Sequence, residues 1–169
     1  HVAAVEQLEK DLADSPLMED TANWVKNYRT KLEKPKSSIL DVPYFPQTDN
    51  YRDASRTCNS SSCAMVLEYF KPGTLKGATG DDAYVQKVFA IGDSTDHLVQ
   101  TRVLASYGIK SNFSYSLSFA DLDRELAAGR PVVIGMNVTA SFDKVPTTGV
   151  WTPVPGEAIM GGHAMCVIG

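Results

Sequence analysis

The strongest constraint on this chain is the order in which its residue patterns change. Helical spacing dominates as far as Gly129, and the two clearest apolar runs, Val132 to Met136 and His163 to Ile168, come after it. Helices first and strands later favour an α+β fold over a regularly alternating α/β sheet. With 169 residues, the chain has room for one domain and an appendage. Its 43% hydrophobic and 21% charged content provides an ordinary core without metal or disulfide staples.

Residues 1–34 are rich in Glu, Lys, Ala and Leu. Val5, Leu8 and Leu12, then Trp24, Tyr28 and Leu32, recur at helical spacing, with a break at Asp14-Ser15-Pro16. Two helices are expected there, followed by a linker at residues 34–38. This divides the chain into an N-terminal helical segment, 1–38, and a domain, 39–169. The domain opens with an extended, proline-punctuated stretch from Ile39 to Gln47. A helix is predicted over Asn59 to Phe70, where Cys63, Val66, Leu67 and Phe70 form one apolar stripe and Pro72-Gly73 a stop. Further helices are expected over Asp81 to Ile91, over Thr95 to Tyr107 with Asp93 and Ser94 as its cap, and after a capping box at Ser118 to Asp121. Ile109, Phe113 and Tyr115 loosely suggest a strand. A Gly- and Pro-rich loop from Thr147 to Gly162 leads into the final strand.

Several function classes fit poorly. A net charge of −4 without a basic run argues against a nucleic-acid partner. No apolar stretch approaches the roughly 20 residues that span a bilayer, so no membrane insertion is expected. Cys58, Cys63 and Cys166 show neither Cys-x-x-Cys nor zinc spacing, and no metal or organic cofactor is implied. Gly92-Asp93-Ser94 echoes the start of one serine esterase class, but it follows a predicted helix where a nucleophile turn would follow a strand.

Of the three cysteines, Cys58 stands just before a predicted helix, where the positive end of the macrodipole stabilises thiolate over thiol. Cys63 lies on the apolar stripe and Cys166 in the last strand, opposite in facing to His163, so both are expected in the core. His1 is terminal, and His97, beside Asp96, is expected on a solvated helix surface. His163 follows Gly161-Gly162, which leave its ring an open approach. A rigid strand carrying His163 towards a helix carrying Cys58 would meet the geometric need of a Cys–His pair.

The segments DVPYFPQTDN…TCNSSSCAMVLEYF, LDRELAAGRPVVIGMNV and GGHAMCVIG, in this order, resemble three blocks of the double-glycine leader peptidase-like family of papain-fold cysteine peptidases. The resemblance covers roughly residues 41–169 and implies a papain-like fold, its central nucleophile helix packed on an antiparallel sheet. It implies Cys58 as nucleophile, His163 as general base, and Gln47 as a side-chain donor to the oxyanion hole beside the Cys58 backbone N–H. The expected partner is a peptide or protein substrate, with further domains of a longer chain also possible. The family suggests a bacterial or bacteriophage source and a site of action at or outside the membrane.

Two departures from the family pattern stand out. Asn59-Ser60 replaces the usual Gly-Pro after the cysteine, and more serines follow, which are expected to cap the helix. The family's third residue, an Asp or Asn orienting the histidine, normally lies on the strand after the histidine strand, and the sequence ends six residues past His163. The domain is therefore expected to be incomplete at its C-terminus, with Asn137 and Asp143 as upstream candidates for that role. A domain of this type that had lost catalysis and kept its cleft for docking a peptide is the alternative reading.

Overall fold

The computed structural model describes Gln7, residues 39–146 and residues 148–169. The chain divides into two compact units, His1–Ser37 and Ser38–Gly169, and every element named below belongs to the second. The two helices and the linker expected within residues 1–38 lie outside the described residues, Gln7 apart.

The second unit is α+β. Among the described residues it has four α-helices, α1 (Cys58–Phe70), α2 (Asp81–Ile91), α3 (His97–Ser106) and α4 (Phe119–Ala127). Two antiparallel strands follow, β1 (Val132–Thr139) and β2 (Ile159–Val167). The helix limits track the local sequence. Asp96 caps α3, its carboxylate accepting the Leu98 and Val99 N–H groups. Ser118 and Asp121 form a reciprocal capping box at α4, and Gly129, at φ +74°, ends it in the left-handed region. After α1, the buried Glu68 carboxylate accepts the Gly73 N–H and, at 2.7 Å, the Leu75 N–H, closing the turn that Pro72-Gly73 begins.

α1 is the axis of the core. Ala64 and Leu67, with no exposed surface, pack with Tyr84 and Val88 of α2 and Val103 and Leu104 of α3. The sheet covers α1 on a further side, and Val133 of β1 packs against the same cluster. β1 and β2 pair with Val132 opposite Val167, Gly135 opposite Ala164 and Met136 opposite His163, with an irregularity between Val138 and Thr139. The sheet therefore extends past the expected strand ends, and Gly161 and Gly162 lie inside β2 rather than in the preceding loop.

The serine run behaves differently from its expected role as a cap. Thr57 is the N-cap residue but makes no side-chain capping bond, and Ser60, Ser61 and Ser62 are buried. Ser60 Oγ accepts from Gln100 Nε2 at 2.9 Å. Ser61 Oγ donates to Asp81 Oδ2 at 2.6 Å and accepts from Asn50 Nδ2 at 2.8 Å. Ser62 Oγ donates to the Ala164 carbonyl at 3.3 Å. Three consecutive hydroxyls thus tie the first turns of α1 to α3, to α2 and to β2.

Other expectations also need correction. Asp96, not Asp93 and Ser94, caps α3; Ser94 is buried and donates to the Arg56 carbonyl at 2.6 Å. Residues 109–118 carry no strand, because their side chains serve aromatic contacts and an exposed run including Tyr115 and Leu117. Phe70, expected on the core stripe, is exposed and packs edge-on against Tyr69.

Ser61→Ala removes a buried partner from both Asn50 and Asp81. Leaving such groups unpaired costs about 1–3 kcal/mol each. Urea denaturation is expected to show a loss in that range, whereas Ser114→Ala, at an exposed position, should stay within about 0.5 kcal/mol of the parent.

Candidate active site

Cys58 is the first residue of α1, and its half-buried side chain stands at the helix N-terminus. The approach is built by residues 47–57. Two 3₁₀ turns, Gln47–Asp49 and Ala54–Arg56, deliver the chain to Thr57. The buried Asn50 amide donates to Thr57 Oγ1 at 2.7 Å as well as to Ser61, and Thr57 Oγ1 donates to the Ala54 carbonyl at 3.1 Å. These bonds hold the entry to the helix.

β2 supplies the facing groups. The Ala164 N–H donates to Cys58 Sγ at 3.4 Å, and the side chain of the adjacent His163 lies close enough to act electrostatically on the same sulfur. Burial opposes ionisation of Cys58 most strongly. It is outweighed by the His163 hydrogen bond, the Ala164 N–H, the charge of the His163 imidazolium and the Asn59 backbone N–H, which together hold the thiol below its ordinary pKa. Burial pushes Cys63 up to about 12, with the nearby Cys166 adding to the rise, and it pushes Cys166 up to about 11. One thiol of three is thus activated, and it is the one beside a histidine.

Gln47 sits on the first 3₁₀ turn, half-buried, and its Nε2 donates to the Ala54 carbonyl at 2.8 Å. That bond fixes the amide and leaves its second N–H uncommitted. The Cys58 backbone N–H, at the first position of α1, has no intrahelical acceptor. Neither Asn137 nor Asp143 is seated as an orienting partner of His163. Asn137 pairs with Gly162 and so points to the sheet face opposite His163, whereas Asp143 lies in a 3₁₀ turn, Phe142–Lys144. Among the described residues the ring contact of His163 is Phe142, with centroids 5.6 Å apart.

His97 is not a surface residue as expected. It is half-buried, its ring stacks on Phe113 at 4.4 Å, and its Nδ1 lies 3.2 Å from Asn59 Nδ2. His97 and Asn59 also line a cavity of about 770 Å³ between α1, α3, α4 and β1, but neither Cys58 nor His163 reaches it. Sequence reasoning missed Asn50, Asp81 and Gln100 as supports of α1. The available signal was a run of four polar residues, Asn59 to Ser62, where a core helix should have turned apolar.

A family model described as the Peptidase_C39 like family matches residues 39–169. The chain belongs to the Peptidase_C39 like family. This is the family that the three sequence blocks resemble, and membership suggests cysteine peptidase activity. No curated protein and no solved structure matches the chain.

The thiol environments set an order of reactivity. At about pH 6, below an ordinary thiol pKa near 8.5, iodoacetamide should label Cys58 and leave Cys63 and Cys166 untouched, as read by peptide mass mapping. In His163→Ala the lowering contributions of the imidazole are gone and burial remains, so Cys58 labelling should move to alkaline pH. Equal labelling of all three cysteines at acidic pH would contradict this assignment.

Proposed function

We propose that residues 39–169 form a papain-fold cysteine peptidase domain that hydrolyses peptide bonds through a thioester on Cys58. The observation that carries this reading is a thiol at a helix N-terminus that accepts the Ala164 N–H at 3.4 Å and is held below its ordinary pKa, against burial, with the adjacent His163 among the causes. A structural cysteine in a core needs none of these.

In the first half-reaction the Cys58 thiolate attacks the carbonyl carbon of the scissile peptide bond. Charge collects on the former carbonyl oxygen, and the Cys58 backbone N–H and the second Gln47 N–H donate to it. His163, holding the proton as imidazolium, passes it to the leaving amine as the carbon–nitrogen bond breaks. In the second half-reaction neutral His163 takes a proton from water, and the hydroxyl adds to the thioester carbonyl. The carbon–sulfur bond then breaks, and the thiolate–imidazolium pair returns. The sequence needs no metal or cofactor electron. Gly161, two residues before His163 and on the same face of β2, suits a site that must admit a chain beside His163, because a Cβ there would meet open space.

Cys58→Ala and His163→Ala should abolish hydrolysis of a denatured, fluorogenically labelled protein substrate. Gln47→Ala should lower kcat about 10²–10³-fold with little change in KM, the effect of losing one oxyanion donor. A Gln47→Ala enzyme with undiminished kcat would remove Gln47 from the site. Binding of peptides by wild-type protein without any turnover would favour the docking-module reading instead.

A further inference from the structure

A histidine base must keep its ring turned so that one nitrogen faces the thiol. In a Cys–His pair that task usually falls to a third polar group, yet among the described residues the His163 ring contacts an aromatic side chain instead. Phe142 lies 5.6 Å from it, centroid to centroid, with the ring planes tilted by 56°. Phe142 begins the short turn in the connection between β1 and β2, and this connection has little packing of its own. Val150 and Val154 within it are exposed.

What fixes Phe142 is a local cluster. On its other side Trp151 meets it edge-on, with centroids 5.4 Å apart and planes at 89°. Trp151 Nε1 donates to Ser141 Oγ at 3.0 Å, and Ser141 Oγ donates to Glu157 Oε2 at 2.6 Å. Thr139 Oγ1 donates to the same carboxylate oxygen at 2.6 Å. The Ser141 and Thr139 hydrogen bonds hold Glu157 below the usual carboxylate range, against a smaller effect of desolvation, so it stays charged and accepting at neutral pH. The carboxylate therefore joins the end of β1, the turn and the start of β2 at one point.

We propose that Phe142 is the positioning residue for His163, and that Glu157 holds Phe142 in place through Thr139, Ser141 and Trp151. The aromatic wall removes ring orientations that would turn the imidazole away from Cys58. Glu157 acts at a distance: it orders the connection and never touches the thiol. The proposal rests on the reading of Cys58 and His163 as a reactive pair.

The test is the pH profile of Cys58 alkylation by iodoacetamide in wild type, Phe142→Ala, Phe142→Tyr and Glu157→Gln, mapped peptide by peptide. Phe142→Ala should lower the labelling rate at mildly acidic pH by about three- to tenfold, the range an aromatic contact supports. Its profile should shift towards that of His163→Ala, and Phe142→Tyr should restore the wild-type profile. Glu157→Gln should shift the profile in the same direction by less. Labelling of Cys63 reports unfolding, and if Phe142→Ala shows it, the folded Glu157→Gln profile decides the matter. A wild-type profile in the folded variants would overturn the proposal alone. Absence of acidic-pH labelling in the wild type would overturn the Cys58–His163 reading and this proposal with it.

Discussion

Ala164 spends both of its backbone groups on α1. Its N–H reaches Cys58 Sγ and its carbonyl accepts from Ser62, one helical turn on. Because these groups face the helix and not β1, the outer edge of β2 is covered at this point by the first turn of α1, which blunts an otherwise exposed strand edge. The same docking sets the position of the preceding residue, His163, relative to the thiol. A change in how α1 sits on β2 would move Cys58 and His163 relative to one another, so the proposed chemistry depends on this one contact of the fold.

That docking explains why the start of α1 is so polar inside. Ser60, Ser61 and Ser62 reach three different neighbours, and each bond is directional, so the helix has one rotation and one height at which all three are made. An apolar stripe at these positions would pack in several nearly equivalent ways. The arrangement has a cost: Asn50 Oδ1, Asp81 Oδ1 and Gln100 Oε1 are buried without a partner. Asp81 shows the consequence, since burial pushes its carboxyl above the usual range despite the Ser61 hydrogen bond. The start of α1 is thus fixed from outside by a network of side-chain hydrogen bonds.

What the sequence made legible was local or modular. Helical spacing placed α2 at its observed limits, the capping box placed α4, and Cys58 stands at a helix N-terminus as expected. The pairing with His163 came from eliminating two other histidines together with the three-block resemblance. Long-range polar partnership stayed hidden: nothing local in Ser60 or Ser61 names Gln100 or Asp81 as its partner. His97 was misjudged for the same reason, because Phe113 and Asn59 come from distant parts of the chain. The aromatic cluster around Phe142 was equally illegible, since a Gly- and Pro-rich connection carries no periodicity from which contacts can be read.

The neighbours of Cys58 favour its thiolate, whereas burial disfavours the thiolates of Cys63 and Cys166. The direct measurement is the ultraviolet absorbance of thiolate during a pH titration of the folded protein, with Cys58→Ser as the blank. The expected result is a step of one thiolate at a pH below the ordinary thiol value of about 8.5, absent from Cys58→Ser and displaced upward in His163→Ala. A difference titration with no step until that ordinary value, or one unaffected by His163, would contradict it.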